Sequence, residues 1–276
     1  MKQNHLKLNE NNSTILFYFS GTGNSLNTAI RLQENIENCK ILSIPKVLEE
    51  NKFNYKAAKI GFIFPVHFLD APEIVKEFLK NIKITGNPYV FAIATCGGEI
   101  GKTFRTINKL LDRQNRKLHS EFSLVLTGNS IILIDKTSTP EEIDRLIKNS
   151  EDRINEIIEK ITNNEIEKFI PTKISFYNKF TSWMGKLFIF KIFNDRRFKV
   201  DDEKCVRCGT CVSVCPVNNI EIVDNKVTWN HNCEICLACI HLCPQNAIEH
   251  FNTQGIPRYH HPDITIKQLI DYKSKS

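Results

Sequence analysis

A chain of 276 residues with 41% hydrophobic and 25% charged side chains has room for one or two domains with a sizeable core, and its balance is that of a globular protein rather than a disordered or fibrous one. No apolar run approaches the roughly 18 residues of a membrane span, and the start MKQNHLKLNENNS lacks the apolar core of a signal peptide, so a cytoplasmic protein is expected. The net charge of +6 is uneven: residues 171–200 carry seven basic side chains against Asp195 alone, whereas 201–250 carry seven acidic and three basic, which argues against a nucleic-acid-coating protein.

Up to residue 165 the sequence alternates strand and helix patterns. Strands are expected at TILFYF (14–19), KILSI (40–44), AKIGFIFP (58–65), YVFAIAT (89–95) and FSLVLT (122–127), each short, apolar and β-branched or aromatic, as strands buried on both faces are. Helices are expected at NSLNTAIRLQENI, APEIVKEFLKNI, GKTFRTINKLLDRQ and STPEEIDRLIKNSEDRINEIIEKIT, the last opened by Ser138, Thr139 and Pro140 with Glu141 and Glu142 in its first turn. Right-handed crossovers between such units give a doubly wound parallel α/β sheet.

Behind the first strand lies SGTGNS (20–25). Leu26 stands where the third glycine of a dinucleotide fingerprint belongs, and no Gly-Lys pair makes it a nucleotide-triphosphate loop. The hydroxyls of Ser20, Thr22 and Ser25 with backbone N–H groups at a helix start read as an anion cradle without lysine, which suits a monoester phosphate such as that of FMN. The competing reading is a plain strand-to-helix turn.

Residues 165–200 break the alternation. Phe176, Phe180, Trp183 and Leu187 recur at helical spacing among lysines. A helix packed on one or both domains is expected; peripheral contact with an anionic membrane surface, or docking of a partner, are the alternatives.

From 201 to 250 the sequence repeats with period 28: CVRCGTCVSVCP at 205–216 and CEICLACIHLCP at 233–244. Each row reads C-x2-C-x2-C-x3-C-P, the spacing for iron–sulfur ligation in which the fourth cysteine of a row serves the other cluster. One [4Fe–4S] cluster then takes Cys205, Cys208, Cys211 and Cys243, the other Cys233, Cys236, Cys239 and Cys215. Paired C-x2-C also makes zinc sites, but four cysteines per row with a following proline overshoot that pattern. So short a unit buries little core and relies on its metal sites. NNIEIVDNKVTW supplies a small hairpin between the halves. The two remaining cysteines, Cys39 and Cys96, read as small buried hydrophobes.

The 201–250 stretch resembles the two-cluster bacterial ferredoxins, an α+β unit. SGTGNS after the first strand resembles the flavodoxin phosphate loop, here Ser20, Gly21, Thr22, Gly23, Asn24 and Ser25. That resemblance places PVHFLDAP (65–72) and TCGGEIG (95–101) around the isoalloxazine ring, through Pro65, Val66, His67, Phe68, Thr95, Cys96, Gly97 and Gly98. Flavodoxins stack a tyrosine or tryptophan on the flavin; this chain has Cys96 and the His67–Phe68 pair instead. With the GIPRYHHP tail, the whole is similar to the flavodoxin–ferredoxin fusion proteins of anaerobic bacteria and archaea. The resemblance implies a flavodoxin-like domain (1–165), a connector (166–199), a ferredoxin domain (200–253) and a tail (254–276).

It further implies electron transfer between two [4Fe–4S] clusters and FMN, with redox proteins such as other ferredoxins or oxidoreductases as partners. The alternatives are a flavin-dependent reductase of a small molecule and a non-enzymatic iron–sulfur sensor. His67, His260 and His261 either relay protons to a reduced flavin or are ordinary loop histidines, and Asn129 either approaches the ring or serves a turn.

Overall fold

The computed structural model describes residues 12–132, 137–170, 194–251 and 253–275. Phe176, Phe180, Trp183 and Leu187, on which the connector's helical expectation rests, lie outside the described residues.

In chain order the first part runs β1 (Thr14–Tyr18), α1 (Asn24–Asn35), β2 (Cys39–Ser43), α2 (Ile44–Glu50), β3 (Asn54–Lys56), β4 (Lys59–Pro65), α3 (Glu73–Asn81), β5 (Lys83–Thr85), β6 (Tyr89–Cys96), α4 (Thr103–Leu111), β7 (Ser120–Val125) and α5 (Pro140–Thr162). Five strands form one parallel sheet in the order β2-β1-β4-β6-β7. Counting only those strands, this is the 2-1-3-4-5 order of the flavodoxin-like doubly wound fold. Helices α1 and α5 pack together, and α2, α3 and α4 pack in succession. Every residue of β1 and β6 is buried, which is why these strands read as unbroken apolar runs. Phe17 anchors the core, with the rings of Tyr55 and Phe78 centred 4.7 and 4.8 Å away.

The second strand stops at Ser43, one residue short of the expected end, because Pro45 sits in the first turn of α2, a helix the sequence pattern missed. A short parallel pair, β3 with β5, was also missed; three-residue strands carry too little alternation to be seen. Helix α5 opens with a capping box: Glu142 N–H donates to Thr139 Oγ1 at 3.3 Å, and Thr139 N–H donates to the Glu142 carboxylate at 3.0 Å. Thr139→Ala is expected to cost about 1 kcal/mol in denaturant unfolding.

The second part runs β8 (Lys199–Val200), α6 (Thr210–Val214), β9 (Ile220–Val223), β10 (Lys226–Trp229), α7 (Ala238–His241), β11 (Ile248–Glu249) and α8 (Ile266–Lys273). β9 and β10 form an antiparallel hairpin, and β8 pairs with β11. The period of 28 is carried in the backbone: α6 and α7 start 28 apart, as do β9 and β11. Left-handed conformations recur likewise at Arg207 and Ile235, Gly209 and Leu237, and Asn218 and Asn246. Ile235 and Leu237 hold that conformation despite branched side chains, so the loop around the second cysteine row is fixed by its surroundings.

The two parts share a core. Val214, Cys236, Ala238, Leu242, Ile264 and Leu269 join the apolar cluster of the parallel sheet. Among the described residues no helix is long and apolar enough to cross a membrane.

Candidate functional site

A cavity of about 490 Å³ opens at the carboxyl ends of β1, β4, β6 and β7, where ligands sit in doubly wound sheets. All the candidate residues of the three loops line it except Gly23 and His67.

The first wall is the glycine turn. Gly23, at φ 102°, is the N-cap of α1, and its N–H donates to Ser20 Oγ at 3.1 Å. Helix α1 has no side-chain cap and no acidic residue in its first turn, so its positive end is left for an anion. The Ser25 and Thr95 hydroxyls are hydrogen-bonded at 2.8 Å and tie this turn to β6.

The second wall is the loop after β4. His67 and Asp70 exchange two backbone hydrogen bonds at 2.9 Å around Phe68 and Leu69, both left-handed at φ 49° and 58°. Gly101 permits this turn, since a Cβ there would lie 2.3 Å from the Leu69 carbonyl oxygen. Buried Asp70 lies 3.3 Å from Lys76 Nζ and 3.7 Å from Lys102 Nζ. The reversal sets Phe68 at the cavity. His67 packs edge-on against Phe19 instead, and lines a separate cavity with Lys76, Cys233 and Glu234.

The third wall is the loop after β6. Cys96 Sγ donates to the Gly98 carbonyl at 3.1 Å, and burial pushes its thiol pKa up, so it behaves as a packed hydrophobe with a weak donor. A Cβ on Gly98 would meet nothing within 4 Å, so backbone alone faces the open space here. Glu99, Thr137, Ser138, Glu142 and the loop Thr127–Ser130 complete the lining. Apart from Asn129, and Glu99 as part of TCGGEIG, these were not picked out from sequence. A signal existed: TGNS at 127–130 duplicates TGNS at 22–25.

The cysteine rows come together crosswise. Cys205, Cys208, Cys211 and Cys243 line one small cavity, with Cys208 exposed. Cys215, Cys233, Cys236 and Cys239 are the inner set, buried apart from half-buried Cys233; after burial, charge on Cys236, Cys233 and Cys215 raises the Cys239 thiol, and Cys211 of the other set adds least. Burial, the largest effect, pushes Cys211 up to about 11 and Cys233 to about 12, and holds Cys236 and Cys239 well above their ordinary values. Such thiols ionise only with a cation between them. Asn219 N–H donates to Cys215 Sγ at 3.2 Å and Ala247 N–H to Cys243 Sγ at 3.3 Å, equivalent bonds 28 residues apart that suit thiolate ligands. The four thiols of Cys205, Cys208, Cys211 and Cys243 around one small cavity are a donor set that suits a cluster of several irons.

The backbone of the second row adjoins the wall of the larger cavity at Cys236. A Cβ on Gly21 would come 2.8 Å from the Cys236 carbonyl oxygen, so the glycine turn and the second row are in backbone contact. The C-terminal tail closes the junction: His261 N–H donates to the Thr22 carbonyl at 2.8 Å, and a Cβ on Gly23 would meet His261 and Ile264 at 3.0 and 3.1 Å. Buried His261 is a strap on the turn.

His67 and His241 are both held near pKa 4, below the ordinary 6.5, first by burial; Lys76 adds to this at His67, and Arg258 and His260 at His241. The fold keeps both neutral while the unfolded chain protonates them near 6.5. The contribution of these two histidines to stability is therefore full above about pH 6.5 and lost as pH falls toward about 4. His67→Phe, which keeps a ring against Phe19, is expected to lose less melting temperature than the parent between about pH 7 and about pH 5. Anaerobic thermal scans at the two pH values check this.

Residues 198–221 match the family model of the 4Fe-4S binding domain, which takes in the first cysteine row. No curated protein sequence matches the chain. Among solved structures, an FMN-dependent NADH-azoreductase from Bacillus anthracis str. Ames Ancestor in complex with FMN is 11% identical over 55% of this chain and 100% of its own, with a TM-score of 0.37. An azoreductase from Bacillus anthracis str. Sterne is 10% identical over 54% and 99%, at 0.36. Rubredoxin oxygen:oxidoreductase from the anaerobe Desulfovibrio gigas is 14% identical over 54% of this chain and only 37% of its own, at 0.32. At these scores none bears on what the chain binds; the fold assignment stands on the strand order.

Proposed function

We propose that the protein passes electrons between two [4Fe–4S] clusters and FMN. The observation that carries this is the place of Cys236: it belongs to the inner thiols, and its carbonyl accepts from the same Asn129 amide that donates to Thr22 at the cavity. Cys205, Cys208, Cys211 and Cys243 would hold an outer cluster; Cys215, Cys233, Cys236 and Cys239 an inner one. Ser20, Thr22, Ser25 and the start of α1 would seat the FMN phosphate, with Phe68 and the Thr95–Gly98 loop beside the ring. When bound, the clusters supply one-electron steps and FMN stores one or two electrons.

The chain's own part is placement and exclusion of water. The inner cysteines are buried except for Cys233, which is half-buried, whereas exposed Cys208 lines its cavity with Val206 and Ile222, which keep 62% and 37% of their surface open. That face suits a transient redox partner protein at the outer cluster. Against the reading as a small-molecule reductase, the titratable side chains on the cavity wall are Cys96, Glu99 and Glu142, with no histidine among them, and His67 is turned away.

Anaerobic mixing of the FMN-loaded protein with a reduced small ferredoxin, too large to reach the cavity, tests this. Cluster absorbance is expected to change first, and flavin bleaching to follow at a rate independent of protein concentration. Flavin bleaching that precedes the clusters, or that scales with concentration, removes the reading.

A further inference from the structure

The duplicated TGNS turns face each other and exchange hydrogen bonds. Asn24 Nδ2 donates to the Thr127 carbonyl at 2.9 Å, and Asn129 Nδ2 donates to Thr22 Oγ1 at 3.3 Å. The exchange is reciprocal, but Asn129 reaches further. Its Nδ2 also donates to the Cys236 carbonyl at 3.2 Å. Its own carbonyl accepts from His241 Nε2 at 2.8 Å; His241 Nδ1 accepts the Tyr259 N–H at 3.0 Å, which fixes the tautomer. The Tyr259 hydroxyl returns to Asn24 Oδ1 at 2.7 Å. A closed ring of bonds thus joins both turns, the second cysteine row and the tail. Asn129 is not among the residues with left-handed backbone, so turn geometry does not call for asparagine there.

Resting on the function proposed above, we propose that Asn129 is a positioning residue that couples the phosphate seat to the inner cluster, so that the two sites fill cooperatively. The amide has two protons and two acceptors on opposite sides of the junction. With Thr22 Oγ1 accepting from Asn129, the threonine hydroxyl has its own proton to give to an anion in the cavity. If the second row loosens, Asn129 loses an acceptor and Thr22 loses its fixed orientation. Linkage makes the effect mutual: the inner cluster tightens FMN, and FMN tightens the inner cluster by the same factor.

The test measures FMN affinity of the full chain by quenching of flavin fluorescence under anaerobic conditions, before and after chelation of the iron. In the parent, removal of iron is expected to weaken FMN by at least about fivefold. In Asn129→Ala that ratio is expected to fall to within about twofold of unity, with iron content and cluster absorbance of the loaded protein unchanged. Gly21→Ala, which presses on the Cys236 carbonyl from the other side, is expected to shrink the ratio as well. A second readout needs no chelation: FMN should alter the paramagnetic resonance spectrum of the reduced inner cluster in the parent and leave it unaltered in Asn129→Ala. A ratio in Asn129→Ala equal to the parental one, or a parental ratio of unity with FMN bound, overturns the coupling alone. Absence of FMN binding in every form overturns the coupling and the proposed function together.

Discussion

Cys243→Ser is expected to leave the protein with about four iron atoms per chain instead of about eight, and the cluster lost should be the outer one, most of whose ligands come from the other row. Cys243 belongs to the second row by sequence but lines the same cavity as Cys205, Cys208 and Cys211, and its charge is the strongest thiol influence on Cys211. Serine offers a hydroxyl that does not ionise near neutral pH, so a three-thiolate site remains, open to solvent beside exposed Cys208. The mirror variant, Cys215→Ser, should remove the inner cluster and spare the outer. Iron and labile sulfide quantitation with paramagnetic resonance of each variant decides the matter. If Cys243→Ser instead removes the buried cluster, each row holds its own and the crosswise assignment fails.

Thr22→Glu is expected to weaken FMN by at least about 100-fold while both clusters keep their absorbance, since setting like charges side by side costs several kcal/mol. Thr22 is 4% exposed between Asn129 and the start of α1, so a carboxylate there has little room to turn away and would occupy the phosphate's place. Thr22→Ser, which keeps the hydroxyl, should stay within a few-fold of the parent. Equal FMN affinity in Thr22→Glu would mean that the turn is a strand-to-helix junction and no more.

The parts legible in the sequence are those with short-range causes. Five apolar runs became the five parallel strands: β1 and β6 are buried throughout and need no polar alternation, whereas edge strand β7 alternates buried Ser120, Phe122 and Leu124 with more open neighbours. Thr139, Pro140 and Glu142 announced α5 through its capping chemistry. The cysteine rows are legible because the spacing within each is local, and the meeting of Cys243 with Cys205, Cys208 and Cys211 at one cavity agrees with the single extra residue before the fourth cysteine of each row. Pairings between distant segments were not legible. Nothing in SGTGNS shows that Gly21 needs its missing side chain for the Cys236 carbonyl, or that Gly23 needs it for His261 and Ile264. His67 and Phe68 are neighbours in sequence, and only the left-handed turn at Phe68–Leu69 separates the one that faces the cavity from the one that does not. The repeat of TGNS was in plain view, but it acquires meaning only when Asn24 and Asn129 are seen to trade bonds across it.

The central claim is that one chain joins two one-electron centres to a two-electron one, and an anaerobic reductive titration of the loaded protein tests it most directly. With flavin absorbance and paramagnetic resonance followed together, the protein is expected to take up about four electron equivalents per chain, two at the clusters and two at FMN. Uptake of about two equivalents with no iron–sulfur resonance, or of about two with no flavin change, would contradict it.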